Sequence, residues 1–471
     1  MKKFMILAAV AMLVGRASAA VRDTISLNAG WQFHLGELSG IEAVKNAKSE
    51  RVNLPHDFLI GQPWVEPDAS ERPDNSDAGS NVRSRLSPRG FKEMNVGWYR
   101  YVLTPKAEWK GRRVVLDFQG IMLVGDVWLN GKHIGKTDYG YLGFDTDISS
   151  MLKYDGDNEI IVKANTQQPN NSRWYTGGGL YRDVNLIVTD KKLYFPRHPL
   201  FIRTENNKKV KIQAEIACFN KVDNIPAEVK IYDANGEVVA QKKQNIVFNG
   251  KWRTREYELQ TIEIDNANLW SCESPYLYTA EVTLFDNQGN VVDQIREQFG
   301  VRTIEFSPDF GFKLNGKKVL LKGYANHHTL GALGAAAYPR AIEKRIQLMK
   351  SFGYNHIRTS HNPYSEDFMR LCDRYGILVV DELYDKWLTQ YAGGRVEWEA
   401  LWQRDVPEWV KRDRNHPCVV LWSLGNELQQ YPNLPFNDWG VTAYKLQREL
   451  LHRYDNTRLT TVAMHPRYRD I

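Results

Sequence analysis

The chain predicts two consecutive β-sandwiches followed by part of a β/α barrel. Three observations support that fold class. Short alternating segments separated by turn residues run from about Val21 to Phe306. Beyond that point, strands apolar on both faces alternate with helical patterns, as in a parallel sheet. No glycine-rich nucleotide fingerprint follows any of those strands, which favours a barrel over a doubly wound sheet. With 471 residues there is material for about three domains. The boundaries read as a leader at 1–20, sandwiches at 21–194 and 195–306, and the N-terminal part of a barrel at 307–471.

Each element has a local cause. Lys2 and Lys3 precede an uncharged apolar run, Phe4 to Val14, and the small residues Ala17-Ser18-Ala19-Ala20. This is a secretory signal pattern, too short for a membrane span. It predicts a mature protein starting near Ala20 or Val21, exported to the periplasm or medium and not held in a membrane. In the first sandwich, Gly97–Leu103, Arg113–Phe118, Asp126–Leu129, Asn158–Ala164 and Arg182–Val188 read as strands. Asn130-Gly131 is a hairpin turn, since both residues tolerate positive φ. Glu66 to Arg89 is polar and reads as an insertion.

In the second sandwich, Val210–Phe219, Glu228–Tyr232, Tyr276–Phe285 and Val291–Phe299 alternate, with Asn235-Gly236 and Gln288-Gly289 as turns. About 110 residues of strands without helices suit an immunoglobulin-like sandwich. The barrel part then reads as strands at Lys318–Tyr324, Asn355–Thr359, Ile377–Leu383, Cys418–Leu424 and Leu459–Ala463. Helices are expected at Arg340–Phe352, Glu366–Tyr375, Val396–Arg414 despite Pro407, and Trp439–Arg453.

Composition narrows the function. The formal charge is +6 and the Lys and Arg are scattered, so no basic stripe suggests a nucleic-acid partner. Fourteen Trp and 23 Tyr suit sugar faces, but most should fill sandwich cores. The four Cys have no metal-ligand spacing. An exported protein can form one Cys218–Cys272 bridge, which the sequence leaves open, while Cys372 and Cys418 read as buried thiols.

In a β/α barrel, reactive groups stand at the C-terminal ends of strands. Those ends read Asn326-His327-His328, then Arg358-Thr359-Ser360-His361-Asn362, then Asp381-Glu382, then Gly425-Asn426-Glu427. Singly, each has a bland explanation as a turn or cap residue. Their convergence at four successive strand ends marks a site. His327 and His328 are strand neighbours and point to opposite faces, so they should not share a metal.

Here the residues acquire a resemblance. Asn415-His416-Pro417 through Gly425-Asn426-Glu427 resembles the acid/base segment of glycoside hydrolase family 2. Arg358-Thr359-Ser360-His361-Asn362-Pro363, Leu371 to Gly376 and Val380-Asp381-Glu382 follow the same family's order and spacing. Lys322 to His328 with Leu330-Gly331-Ala332-Leu333-Gly334 is similar to the β-galactosidase branch. Leu54-Pro55-His56-Asp57, Gly97-Trp98-Tyr99-Arg100 and Asn171-Ser172-Arg173-Trp174-Tyr175 resemble the family's jelly-roll-like sugar-binding sandwich.

The resemblance implies a (β/α)8 TIM-barrel enzyme that hydrolyses terminal β-glycosidic bonds, most often β-D-galactosides, with retention. One carboxylic acid protonates the leaving oxygen and a second carboxylate forms a covalent glycosyl-enzyme. It implies Glu427 as acid/base, with a pKa raised by burial near its partner carboxylate. It implies Asn426 on the sugar 2-hydroxyl, His327, His361, Asn171 and Arg173 as substrate contacts, and Arg358, Asp381 and Glu382 as supports of the nucleophile. β-Glucuronidase and β-mannosidase specificity are the sibling alternatives.

Two departures are visible. Leu383-Tyr384-Asp385-Lys386-Trp387 lacks the Glu and His pair that would hold magnesium in some relatives, so neither metal nor cofactor is expected. The family's nucleophile is a Glu near strand seven, whereas Ile471 falls at about strand five. A whole barrel takes about 250 residues. The stretch after Phe306 has room for four units and part of a fifth. These 471 residues are therefore expected to be inactive alone, at most binding carbohydrate. The oligomeric state is left open.

Overall fold

The computed structural model describes residues 21–65, 91–167, 174–220, 222–248, 253–387, 394–428 and 440–463. The leader at 1–20, the insertion at 66–89, Asn171 and Arg173 lie outside the described residues.

The first sandwich packs a six-stranded antiparallel sheet on a four-stranded one. The larger sheet has the order Glu50–Val52, Trp31–Leu35, Val96–Leu103, Asn158–Asn165, Val124–Leu129, Lys132–Thr137. The smaller has the order Asp23–Ser26, Val184–Thr189, Arg113–Phe118, Phe144–Asp147. Alternation sends one face of each strand inward. Trp31, Phe33, Leu116, Phe118, Ile160, Val162, Leu186 and Val188 are accordingly buried in one core. Asn130-Gly131 makes the expected turn, with positive φ at both residues.

The second sandwich pairs Leu193–Tyr194, Lys209–Cys218 and Leu200–Glu205, with Thr254–Glu258 and Ile262–Glu263, against a four-stranded sheet. That opposing sheet has the order Val238–Val247, Asn224–Tyr232, Tyr278–Phe285, Val291–Phe299. Leu193–Tyr194, placed by sequence at the end of the first domain, pairs with Cys218 and Ala217 of the second. All four cysteines are buried free thiols, so the Cys218–Cys272 bridge does not form.

A short meander, Ile304–Ser307, Gly311–Leu314 and Lys317–Lys318, leads into the barrel part. Five parallel strands follow in chain order: Gly323–Asn326, His356–Thr359, Leu378–Glu382, Val419–Ser423 and Leu459–Thr461. The single strand expected at Lys318–Tyr324 is thus split, with 319–322 between the meander and the first barrel strand. The helices are α1 (Pro339–Ser351), α2 (Glu366–Tyr375), α3 (Trp402–Asp413) and α4 (Val441–His452).

Helix α2 shows why the local signals worked. The Ser365 hydroxyl caps it by accepting from Phe368 N–H, Glu366 and Asp367 occupy the first turn, and Gly376 ends it at φ 68°. Its buried face is Phe368, Met369 and Cys372. Helix α3 tolerates Pro407 because the carbonyl deprived of its donor belongs to Gln403, an exposed residue that water can reach.

The barrel part shares its core with both sandwiches. Met122, Tyr139, Tyr141 and Tyr181 of the first, and Trp270 and Cys272 of the second, pack in the same apolar cluster as Ile357, Val379 and Val420. Tyr139 donates to the Leu383 carbonyl at 2.5 Å, and Trp270 to the Asp373 carbonyl at 2.8 Å. The C-terminal ends of the parallel strands are therefore set against the first sandwich by packing as well as polar contacts.

Candidate active site

The site assembles where the second, third and fourth barrel strands end. Arg358, in the second strand, donates from Nε and Nη2 to Oε2 of Glu382 at 3.0 and 2.7 Å. His361 Nδ1 meets Oε1 of the same carboxylate at 2.5 Å. The Ser423 hydroxyl donates to Oε2 at 2.5 Å. Glu382 has no solvent exposure, and both its oxygens are engaged. A buried carboxylate held this way is fixed in position by its partners.

Arg358 Nη2 also donates to Asn426 Oδ1 at 2.9 Å. The Asn426 amide donates in turn to Asp385 Oδ1 at 2.9 Å, and its backbone N–H to the Asp385 carbonyl at 3.0 Å. Lys386 is buried, and its ammonium donates to the Asn426 carbonyl at 2.8 Å and to Asp385 Oδ1 at 3.1 Å. It reaches Glu427 Oε2 at 3.5 Å.

Glu427 itself stands at φ 44°, a left-handed backbone that non-glycine residues adopt at a cost of about 1–3 kcal/mol. That turn directs its side chain out of the packed layer. The side chain is 52% exposed, so the burial expected of it is not present among these residues.

His327 and His361 form a wall with an aromatic residue from the first sandwich. Trp174 stacks on His327 at 4.7 Å between ring centroids and meets His361 edge-on at 5.4 Å. Among the described residues, Trp174 Nε1 and Asn326 Nδ2 are buried donors without an acceptor. His328 turns the other way, as neighbouring residues on a strand must. It contacts the Thr176 carbonyl at 3.2 Å and packs against Tyr141, and burial pushes its pKa down to about 3.

Asp381 does not join the cluster. Strand alternation points it toward the helix layer, where Trp409 Nε1 donates to it at 2.6 Å and the Thr359 hydroxyl at 3.1 Å. Burial, with Asp413 nearby, raises its carboxyl well above the usual range. Sequence grouped it with Glu382 because the two are adjacent, and adjacency on a strand is what separates them.

Sequence reasoning also missed the residue that locks the first sandwich to the barrel. Asp57 accepts from Leu59 N–H and Gly178 N–H, each at 2.9 Å, and from Tyr175 hydroxyl and Ala335 N–H, each at 2.7 Å. Burial raises its pKa and the four donors oppose that rise. Gly334 sits against its carboxylate at φ 64°, with no room there for a Cβ. The Leu330-Gly331-Ala332-Leu333-Gly334 segment is thus shaped by docking on Asp57, which explains its glycine without reference to sugar choice. Asp57 lay inside a motif that suggested sugar binding, and no local signal pointed to Ala335.

Two antiparallel sandwiches set around a barrel whose strand ends collect carboxylates, histidines and an arginine form the layout of a multidomain glycoside hydrolase. Comparison with known proteins agrees in each part. The family model for the glycosyl hydrolases family 2 TIM barrel domain matches residues 308–465. The glycosyl hydrolases family 2 model matches 198–302, and the glycosyl hydrolase 2 galactose-binding domain-like model matches 91–181. The chain belongs to glycosyl hydrolase family 2.

A β-galactosidase of Bacteroides ovatus is 32% identical over 429 residues, covering 86% of this chain and 47% of its own length. A β-glucuronidase of Bacteroides fragilis is 28% identical over 466 residues, covering 94% of this chain and 61% of its own. A solved family 2 member from Bacteroides cellulosilyticus superimposes with a TM-score of 0.83 at 33% identity, over 94% of this chain and 56% of that one. The chain spans about half the length of the curated relatives it matches.

Proposed function

We propose that these residues carry the acid/base half of a retaining β-glycosidase, with Glu427 protonating the leaving oxygen and β-D-galactosides as the preferred substrates. The observation that supports this most is the contrast around Glu427. Among the described strand-end carboxylates Glu427 is an accessible one, on a left-handed backbone, while its neighbour Asn426 is held by Arg358, Asp385 and Lys386. Protonation of a leaving group needs such an accessible acid on a rigid support. Asn426 would meet the sugar 2-hydroxyl, a contact that strengthens in the oxocarbenium-like transition state. Trp174, His327 and His361 would face the sugar, with Trp174 Nε1 and Asn326 Nδ2 as hydroxyl donors.

The attacking carboxylate is assigned outside the described residues. A retaining enzyme needs it about 5 Å from the acid and free to bond carbon. Glu382 is buried and saturated, Asp381 faces the helices, and Asp385 is bound to Asn426 and Lys386. Arg358 would hold that nucleophile ionised, as its permanent charge suits. Export follows from the leader pattern, and intact-mass analysis of secreted protein should give a chain starting near Ala20 or Val21. The full Met1 form in the cytoplasm would argue against export.

The β-glucuronidase names among the relatives keep a second specificity in play. A panel of aryl β-glycosides decides between them. A form of the protein carrying the complete barrel should turn over β-galactosides fastest, and these 471 residues alone should match buffer. Faster cleavage of β-glucuronides would replace the galactoside preference. Turnover by the 471 residues that Glu427→Gln abolishes would place the nucleophile among them.

A further inference from the structure

The segment that follows the third barrel strand runs alongside the segment that follows the fourth. Leu383 N–H donates to the Ser423 carbonyl at 3.0 Å, and Trp387 Nε1 to the Leu424 carbonyl at 2.8 Å. Gly425 makes room for that indole, since a Cβ there would lie 3.0 Å from Trp387 Nε1. On its other side the second segment is held by the end of the fifth strand. Leu424 N–H donates to the Thr461 carbonyl at 2.9 Å, and Leu428 N–H to the Ala463 carbonyl at 3.2 Å.

Lys386 sits between the two segments, 2% exposed. A buried ammonium is costly unless it gains strong partners in return. Two of its partners are Asp385 Oδ1 at 3.1 Å and the Asn426 carbonyl at 2.8 Å. That carbonyl belongs to the peptide joining Asn426 to Glu427. The Asn426 N–H goes to the Asp385 carbonyl at 3.0 Å. Asp385 and Lys386 thus take both backbone groups of Asn426. They fix the peptide plane from which Glu427 departs at φ 44°. A non-glycine residue keeps such a backbone only where its surroundings hold it.

The same ammonium reaches the Glu427 side chain, with Nζ 3.5 Å from Oε2. That side chain is half exposed, so packing alone does not choose its rotamer. A charge-assisted contact from a buried, anchored cation can. A methionine would fill nearly the same space and offer neither the donors nor the charge.

We propose that Lys386 is a positioning residue for the acid/base. Its ammonium pins the peptide that carries Glu427 and draws the carboxyl group toward one side of the pocket. The inference rests on the reading of Glu427 as the acid/base and adds the residue through which the fold controls it. Glu427 gives a proton to the leaving oxygen in the first step and takes one from water in the second. After the first transfer it is a carboxylate, and Lys386 is a cation beside it. The role runs through Glu427 and not through the sugar.

The test compares Lys386→Met, Glu427→Ala and the double variant with the parent, all with the complete barrel. Values of kcat/KM, which report the bond-breaking step, are measured on aryl β-glycosides of increasing leaving-group pKa, with the sugar that the parent cleaves fastest. Lys386→Met should lose about 10²-fold on the poorest leaving groups and less than about threefold on the most activated, because only the former need a well-placed acid. In the double variant the loss on poor leaving groups should be no greater than in Glu427→Ala alone, since the two residues act as one unit. Melting temperatures confirm that each variant folds. If Lys386→Met does not fold, Lys386→Gln, which keeps a donor but no charge, is read in the same way. An equal loss across the series would show that Lys386 only supports the fold. Losses that multiply in the double variant would show that it acts apart from Glu427. Either result would overturn the proposal. A steep series for Glu427→Ala with a flat one for Lys386→Met would leave the acid/base reading intact and sink this inference alone. A flat series for Glu427→Ala would remove the acid, and with it any role for Lys386 in placing one.

Discussion

Glu382 and Glu427 end neighbouring strands of one sheet, yet their surroundings differ in every respect that matters to chemistry. Glu382 is fully buried and engaged by Arg358, His361 and Ser423. Glu427 is half exposed on a left-handed backbone, with Lys386 at 3.5 Å. The first carboxylate fixes geometry: through Arg358 it sets Asn426, and through His361 it sets the edge of the Trp174 wall. The second is open to solvent. On the proposed assignment, two identical side chains divide between support and reaction according to how deeply the fold buries each.

That division can be broken from either side, and the largest effect should come from the support. In a form of the protein with the complete barrel, Glu382→Gln leaves Arg358 and His361 without their shared carboxylate. Turnover of β-galactosides should fall by about 10³-fold, because the groups that preorganise the site move. A fall below tenfold would show that Glu382 is not the organiser. Trp174→Ala removes the wall across His327 and His361, and should raise KM by about tenfold or more with a smaller change in kcat. An effect confined to kcat would instead place Trp174 in the chemical step.

How much of this was legible in the sequence follows from distance along the chain. The strand ends at Asn326, Thr359, Glu382 and Ser423 could be read because an apolar run stopped by polar residues is a local signal. The partners could not. Asp57 meets Ala335 from 278 positions away, and Trp174 meets His327 from the other domain. The exposure of Glu427 depends on its backbone angle, which no motif encodes.

Smaller effects sharpen the contrast between the site and its scaffold. Asp57→Asn weakens four hydrogen bonds to a buried carboxylate, where each charged bond contributes about 1.5–3 kcal/mol. Unfolding stability should drop by about 3 kcal/mol, read by denaturant titration, and an unchanged midpoint would remove Asp57 as the interdomain lock.

His328 gives an effect that shows only as the pH falls. Its folded pKa of about 3 lies below the value of 6.5 expected when unfolded, so the unfolded chain takes up the proton first. Its contribution is intact above pH 6.5 and is lost as pH falls toward 3. Melting temperatures measured across that window should decline less steeply in His328→Gln than in the parent, and an identical slope would show that His328 does not carry it.

The central claim is that Glu427 delivers the proton to the leaving group. It is tested most directly by comparing Glu427→Ala with the parent, both with the complete barrel, on aryl β-galactosides of increasing leaving-group pKa. The poorest leaving groups should lose about 10²–10⁴-fold in rate while the most activated lose little, because only the former need protonation. An equal loss across the series, or no loss at all, would contradict the assignment.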